Sequence, residues 1–268
     1  MRLSRIAMLP FAIAGGYILY QMMYNYKYEW SYSLVLPVVA IAACLALYPQ
    51  LDAIGYKWWP PKADPMIRNI LERSSPSLIW VRDEDREAFY IRCLDAIRNV
   101  DYMGMKVDDI PTDVKVMCIY PALLIEYIMG IKLLKHYNRV ILYKHPFPSP
   151  EIQEWHAAEI HHEDGVVLFS LEQLIPNFSR SGAFYHVGFD AWIRALMAMR
   201  PELEGRSKMS TPVDYDQNDL ELTSARKYLG LESVTSELIN WSALLQYPEL
   251  FRERTGLIPE EVLSEIRS

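Results

Sequence analysis

The chain has 268 residues, 51% of them hydrophobic, and a formal charge of −7, enough for one apolar anchor and one domain with a full core. The charge is uneven: residues 1–62 hold five basic side chains and two acidic ones, a balance of +3, and the remainder carries −10. So acidic a remainder argues against nucleic acid as a partner, because phosphate contacts need a basic face, and three widely spaced cysteines, Cys44, Cys93 and Cys118, suggest neither a disulfide framework nor a thiolate metal site.

From Ile6 to Tyr24 the chain reads IAMLPFAIAGGYILYQMMY, nineteen uncharged residues, about the length a helix needs to cross the hydrocarbon core of a bilayer. A second uncharged run, Trp30 to Leu51, holds the apolar stretch LVLPVVAIAACLALY. Between them Tyr24, Tyr26, Tyr28, Trp30 and Tyr32 alternate along a short connection, the aromatic enrichment of a membrane–water interface. The two runs predict a transmembrane hairpin within residues 1–62, with the lipid bilayer as a partner and Trp30, Trp58 and Trp59 at its interface. Trp58-Trp59-Pro60-Pro61 reads as an anchor running into a stiff linker, because a proline pair cannot continue a helix. A cleaved signal peptide is the rival reading, since Arg2 and Arg5 precede the run and Ala12-Ile13-Ala14 is a small-x-small site; against it, the apolar run continues well past that site. Orientation follows from the basic residues. Arg2 and Arg5 flank the first span, Lys57, Lys62 and Arg68 follow the second, and the connection has Lys27, offset by Glu29. Both termini are therefore expected in the cytoplasm, with the hairpin in a bacterial inner membrane.

Residues 63–268 predict a cytoplasmic α+β domain dominated by helices. Met66 to Arg73 and Asp83 to Asn99 have helical spacing, the second with Glu84, Asp85 and Glu87 early and Arg92 and Arg98 late, as the helix dipole favours. Ile110 to Leu134 is an apolar helical stretch with a break or kink expected near Pro121. Lys115 and Glu126 within it favour a buried core helix over a third membrane span. Arg139 to Lys144 and Gly165 to Ser170 are short, β-branched and bounded by turn residues, so both read as strands. Helices return at Gly182 to Met199, Leu220 to Leu229, Val234 to Tyr247 and Pro259 to Ile266, and the polar segment from Arg200 to Asn218 reads as a surface loop.

The order of an apolar helix, the strand VILYKHPF, the strand GVVLFSLEQL, a helix containing AFYHVGFDAW and a later helix ending QYPELF resembles the zinc metallopeptidases of the Mlc titration factor A family over roughly residues 64–256. The resemblance implies a zincin-like domain whose H-E-x-x-H helix grips one zinc ion through two histidines four residues apart, the glutamate acting as general base on metal-bound water. Matched on this sequence, the motif falls on His186-Val187-Gly188-Phe189-Asp190. The first ligand position keeps His186, the base position holds Val187, and the second ligand position holds Asp190. Valine can neither accept a proton nor orient water, and general-base assistance is worth about 10²–10⁴ in rate. Anchored on Pro248-Glu249-Leu250, the later helix places Thr235 and Ser242 where the family has glutamates, with Glu232 and Glu237 a register shift away. His186, Asp190 and Glu237 are then a vestigial three-ligand set, and the resemblance implies a degenerate peptidase with no catalytic residue and no resident cofactor, retained zinc being the exception. The residues alone also allow a plainer account, in which Asp190 pairs with Arg194 four positions on.

A second histidine cluster, His156 with His161-His162-Glu163-Asp164, reads as a solvated turn, and Cys93 and Cys118 as buried inert thiols. The expected function is a membrane-anchored pseudopeptidase that binds or scaffolds a membrane-associated protein partner, its hairpin confining it near that partner. Two alternatives remain: an active zinc peptidase built on His186 and Asp190, and an accessory subunit of an integral membrane complex, with Gly15-Gly16 permitting close helix approach. The orientation is tested by a reporter fused after Ser268, expected to be active only in its cytoplasmic form. Periplasmic activity overturns it and restores the signal-peptide reading.

Overall fold

The computed structural model describes residues 3–26, 28–48, 50–51, 54–55, 63–107, 109–179, 185–205 and 215–267. Two units emerge, residues 1–62 and 63–268. In the first, the uncharged runs form α1 (Leu3–Tyr24) and, after a 3-10 segment at Tyr28–Leu34, α2 (Val35–Ala46). Ile6–Tyr24 and Tyr28–Ala46 are each long and apolar enough to cross a membrane, and almost nothing along them is buried within the protein. Leu9, Ile13, Leu36 and Val39 all point outward, which costs nothing in lipid and is unfavourable in water. The helices meet where Gly15 lacks a side chain, so that a Cβ there would sit 3.8 Å from Pro37. Trp30 is half-buried beside Tyr17, ring centroids 6.2 Å apart. The second run is not one regular helix, since residues 30–34 wind as 3-10. Trp58 and Trp59 fall outside the described residues.

The second unit is mainly helical with one small mixed sheet. It opens with α3 (Pro65–Ser74), whose Asp64 N-cap accepts from the Met66 N–H at 2.9 Å, and α4 (Arg86–Asn99). A short strand, β1 (Asp101–Met105), follows, then α5 (Thr112–Met129), the single turn α6 (Leu133–His136), β2 (Arg139–Tyr143), β3 (Ala158–His161) and β4 (Val166–Ser170). The remaining helices are α7 (Leu171–Ser179), α8 (Val187–Met199), α9 (Tyr215–Leu229), α10 (Ser236–Gln246), α11 (Pro248–Thr255) and α12 (Pro259–Arg267). Strand order is β1-β2-β4-β3, with β1, β2 and β4 parallel and β3 antiparallel to β4 at one edge. β4 is buried along its whole length because both faces of the sheet are covered. Val167 and Phe169 enter the main core, while Val166 and Leu168 turn to a smaller cluster with Phe147, as the two-residue period of a strand requires.

α5 is the spine of the core, and its apolarity belongs there rather than in a bilayer. Twelve of its residues are buried, Glu126 among them. Glu126 accepts from the Leu134 N–H at 2.9 Å and from Arg92 at 3.0 Å, and burial holds its carboxyl above the usual range. Of the break or kink expected near Pro121, the break does not occur: α5 runs through the proline. Proline removes a helical donor and crowds the preceding turn, and the neighbouring helix packs closely at this place. Gly188 at the start of α8 leaves room for the ring, an added Cβ meeting Pro121 Cγ at 3.2 Å. Trp192 Nε1–H donates to the Cys118 carbonyl at 2.7 Å, one residue from the Met117 carbonyl that loses its usual partner.

Of the segment expected to be a polar loop, residues 201–203 form a 3-10 turn and α9 begins at Tyr215; residues 206–214 lie outside the description. β3 and β4 are joined by a tight turn that closes on Gly165, at φ +63°, where an added Cβ would stand 2.3 Å from the His136 carbonyl oxygen. Gly165→Ala is expected to lower stability by about 1–3 kcal/mol, read as a shift in the thermal unfolding midpoint of the full-length protein in detergent. An unchanged midpoint would show that the turn does not depend on glycine.

Candidate functional site

The helix that carries the expected motif starts one residue later than H-E-x-x-H geometry demands. His186 is the N-cap of α8, at φ −88° and ψ 102°, and its Nδ1 accepts from the Phe189 N–H at 3.3 Å. A side chain used this way satisfies one of the unpaired amides at the helix end. The ring is buried edge-on against Phe178 and Phe189, centroids 5.1 and 4.9 Å away, and burial pushes its pKa from 6.5 down to about 3. Asn177 of α7 fixes the junction by accepting from the Val187 N–H at 2.9 Å and donating to the Tyr185 carbonyl at 3.0 Å. Val187 itself is fully buried.

One turn further on, Asp190 has no exposed surface. Its Oδ2 accepts from Arg194 Nε at 2.7 Å and its Oδ1 from the Tyr185 hydroxyl at 2.9 Å. Arg194 continues the chain of contacts, donating to Ser233 Oγ at 3.1 Å. Ser242, on the inward face of α10, reaches the same Tyr185 hydroxyl and accepts from Gln246 at 2.6 Å. Burial, then the Asp190 charge, raises the Tyr185 pKa far above the usual phenol range. For Arg194, burial acts to lower its pKa, and the Asp190 carboxylate outweighs it. Removing either partner of such a pair strands a charge in the interior, at a cost of about 3–5 kcal/mol.

The vestigial ligand set is therefore not assembled. His186 caps a helix, Asp190 is saturated by Arg194 and Tyr185, and Glu237 accepts from the Gly205 N–H at 3.1 Å. Thr235 is the N-cap of α10, its Oγ1 accepting from the Leu238 N–H at 3.3 Å, and Glu232 is exposed, 3.9 Å from Arg226. Zinc does not fit these residues, because the guanidinium of Arg194 holds both oxygens of the one buried carboxylate. Cys93 and Cys118 are buried and their thiol pKa values are pushed up by burial, to about 12 for Cys93, so neither is a nucleophile.

The second histidine cluster divides. His162, Glu163 and Asp164 are exposed in the β3–β4 turn as expected, with His162 Nδ1 2.7 Å from the Tyr137 hydroxyl. His156 corrects the solvated reading: it is fully buried, with Nδ1 2.8 Å from the Glu154 carbonyl and Nε2 3.0 Å from Glu159. The residue passed over is Glu159, on strand β3, whose side chain is only 4% exposed. Its signal in the sequence is the alternation Glu159-x-His161, which sets the two on one face of a strand.

His186 has a consequence for stability. Its folded pKa lies below its unfolded value, so the unfolded chain takes up a proton that the native state refuses. The contribution is nil above pH 6.5 and grows as pH falls toward 3, with a slope of up to about 1.4 kcal/mol per pH unit. His186→Asn keeps a good N-cap and does not titrate, so it should lose less stability than the parent between pH 7 and pH 4 in denaturant unfolding. Parallel losses in the two proteins would refute the neutral buried imidazole.

A scan against protein-family models finds no match for the chain, and a search of curated proteins finds none.

Proposed function

We propose that residues 63–268 are a catalytically dead relative of the Mlc titration factor A peptidases, held at the inner membrane by the hairpin, that acts by binding a membrane-associated protein partner. The strands β2 and β4 and the helices α8 and α10 follow one another in the order the resemblance implies. The carrying observation is the buried Asp190–Arg194 ion pair. Two residues four apart on the inner face of α8 have the spacing of the two histidines in H-E-x-x-H, and Ser242, the residue matched to a motif glutamate, reaches the same cluster through Tyr185. In this register the motif falls on Asp190-Ala191-Trp192-Ile193-Arg194, with His186 a capping residue upstream. A guanidinium then stands where the family holds a dication, and it supplies positive charge to the buried carboxylate. The active-peptidase alternative built on His186 and Asp190 loses both of its ligands to other partners.

The mechanism is positional. Two exposed apolar helices confine the domain to the bilayer surface and so raise its effective concentration toward other membrane-bound proteins. Gly16, with open space around the place a Cβ would take, leaves room for a neighbouring helix, in keeping with the accessory-subunit reading.

Purified full-length protein incubated with a peptide library and added zinc is expected to show no chelator-sensitive cleavage. The variant Asp190→His, Ala191→Glu, Arg194→His, Ser242→Glu rebuilds the motif in the register of the ion pair. It should bind zinc at least tenfold more tightly in calorimetric titration than Val187→Glu with Asp190→His, which follows the register of His186. Cleavage by the parent protein would sink the dead-peptidase reading. Equal affinities in the two variants would sink the family relationship.

A further inference from the structure

We infer that the open edge of the sheet carries a divalent metal site formed by Glu151, Glu159 and His161, separate from the α8 cluster and independent of the proposed family. Among the described residues these are the three whose ligand atoms converge, one from each lying within 4.8 Å of the others. Strand β3 supplies two of them: Glu159 and His161 are two residues apart and share a face. The turn before it supplies the third. Ser149 N–H donates to the Ile152 carbonyl at 2.8 Å and Ile152 N–H to Ser149 Oγ at 3.0 Å, which folds Glu151 back over the strand. Glu159 Oε1 lies 3.5 Å from His161 Nε2, and Glu151 Oε1 lies 3.8 Å from the other ring nitrogen, Nδ1; one ion takes one ring nitrogen, so Glu151 has to turn toward the nitrogen that Glu159 faces. Ligand atoms around a zinc ion at about 2.0–2.1 Å stand about 3.4 Å apart. The gap is closed by Glu151, whose side chain is 71% exposed and free to swing.

The site has a supporting shell. Glu159 is held by Ser149 Oγ at 3.0 Å on Oε1 and by His156 Nε2 at 3.0 Å on Oε2, and His156 is anchored in turn by the Glu154 carbonyl. Buried imidazole and hydroxyl donors that orient a ligating carboxylate are the outer layer that metal centres require. Among the described residues no lysine or arginine pairs with Glu151 or Glu159, and the groups that face them are the imidazoles of His156 and His161. Two oxygens and one nitrogen suit zinc or another first-row dication better than calcium. β3 is an edge strand and His161 is partly exposed, which leaves coordination positions to solvent or an external ligand.

The test is calorimetric titration of zinc into untagged, metal-stripped full-length protein in detergent. One ion per chain is expected, with a Kd of about 10 μM or tighter. His161→Ala, at a partly exposed position that should not disturb folding, and Glu159→Gln, with its fold verified by circular dichroism, should each weaken binding at least tenfold. His145→Ala, a histidine paired with Glu172 elsewhere on the surface, should leave it unchanged. No zinc uptake, or uptake undiminished by His161→Ala, overturns the site. Either result leaves the α8 reading standing, because that reading concerns different residues.

Discussion

A carboxylate with no solvent exposure has to find its hydrogen bonds inside the protein, and at Asp190 that requirement organises the centre of the second unit. Two oxygens need donors, and Tyr185 and Arg194 provide them from one turn before and one turn after. Arg194 is then committed to Ser233, and Tyr185 to Ser242, so the polar chain ties α8 to the turn before α10 and to α10 itself. Such a pair is weak as a source of net stability, because desolvating both charges offsets most of their attraction. It is strong as a constraint on arrangement, since each alternative packing leaves a charge without a partner.

The same helix is fixed on its other side by shape. Gly188 admits the Pro121 ring and Trp192 takes up the Cys118 carbonyl, so α5 and α8 cross at the one place where α5 has a weakened hydrogen-bond ladder. Glu126 plays a comparable part at the end of α5, where its buried carboxylate receives the Leu134 amide and Arg92 and joins α5 to α4 and to the start of α6.

The sheet is small, and its edges differ in character. β1 ends one side with alternating exposed residues, while β3 ends the other with Glu159 and His161. Charged side chains at an edge discourage pairing with a strand from another chain. Bringing two carboxylates to one histidine goes further than that protection needs. The first unit imposes a different constraint: among its described residues the two apolar helices are almost entirely uncovered, and both are long and apolar enough to cross a membrane.

Much of the secondary structure was legible because hydrophobic period and length are local properties. The uncharged runs at Ile6–Tyr24 and Trp30–Leu51, the strands at Arg139–Tyr143 and Val166–Ser170, and the helices around α3, α4, α8 and α10 all announce themselves in the residues they contain. β1 and β3 did not, because Asp101–Met105 and Ala158–His161 carry polar or small residues and become strands only by pairing with β2 and β4. The continuity of α5 through Pro121 could not be read either, since it rests on a glycine 67 residues away in the chain. For the candidate sites the division is sharper. The sequence displayed His186, Asp190, Arg194 and Glu237, with the motif matched on His186 to Asp190 and Arg194 as a pairing partner four residues on. Only the tertiary structure decided that His186 ends outside the helix, that Asp190 is closed by Arg194 and Tyr185, and that Glu159 is buried beside two histidines, because burial and convergence are properties of space and not of order along the chain.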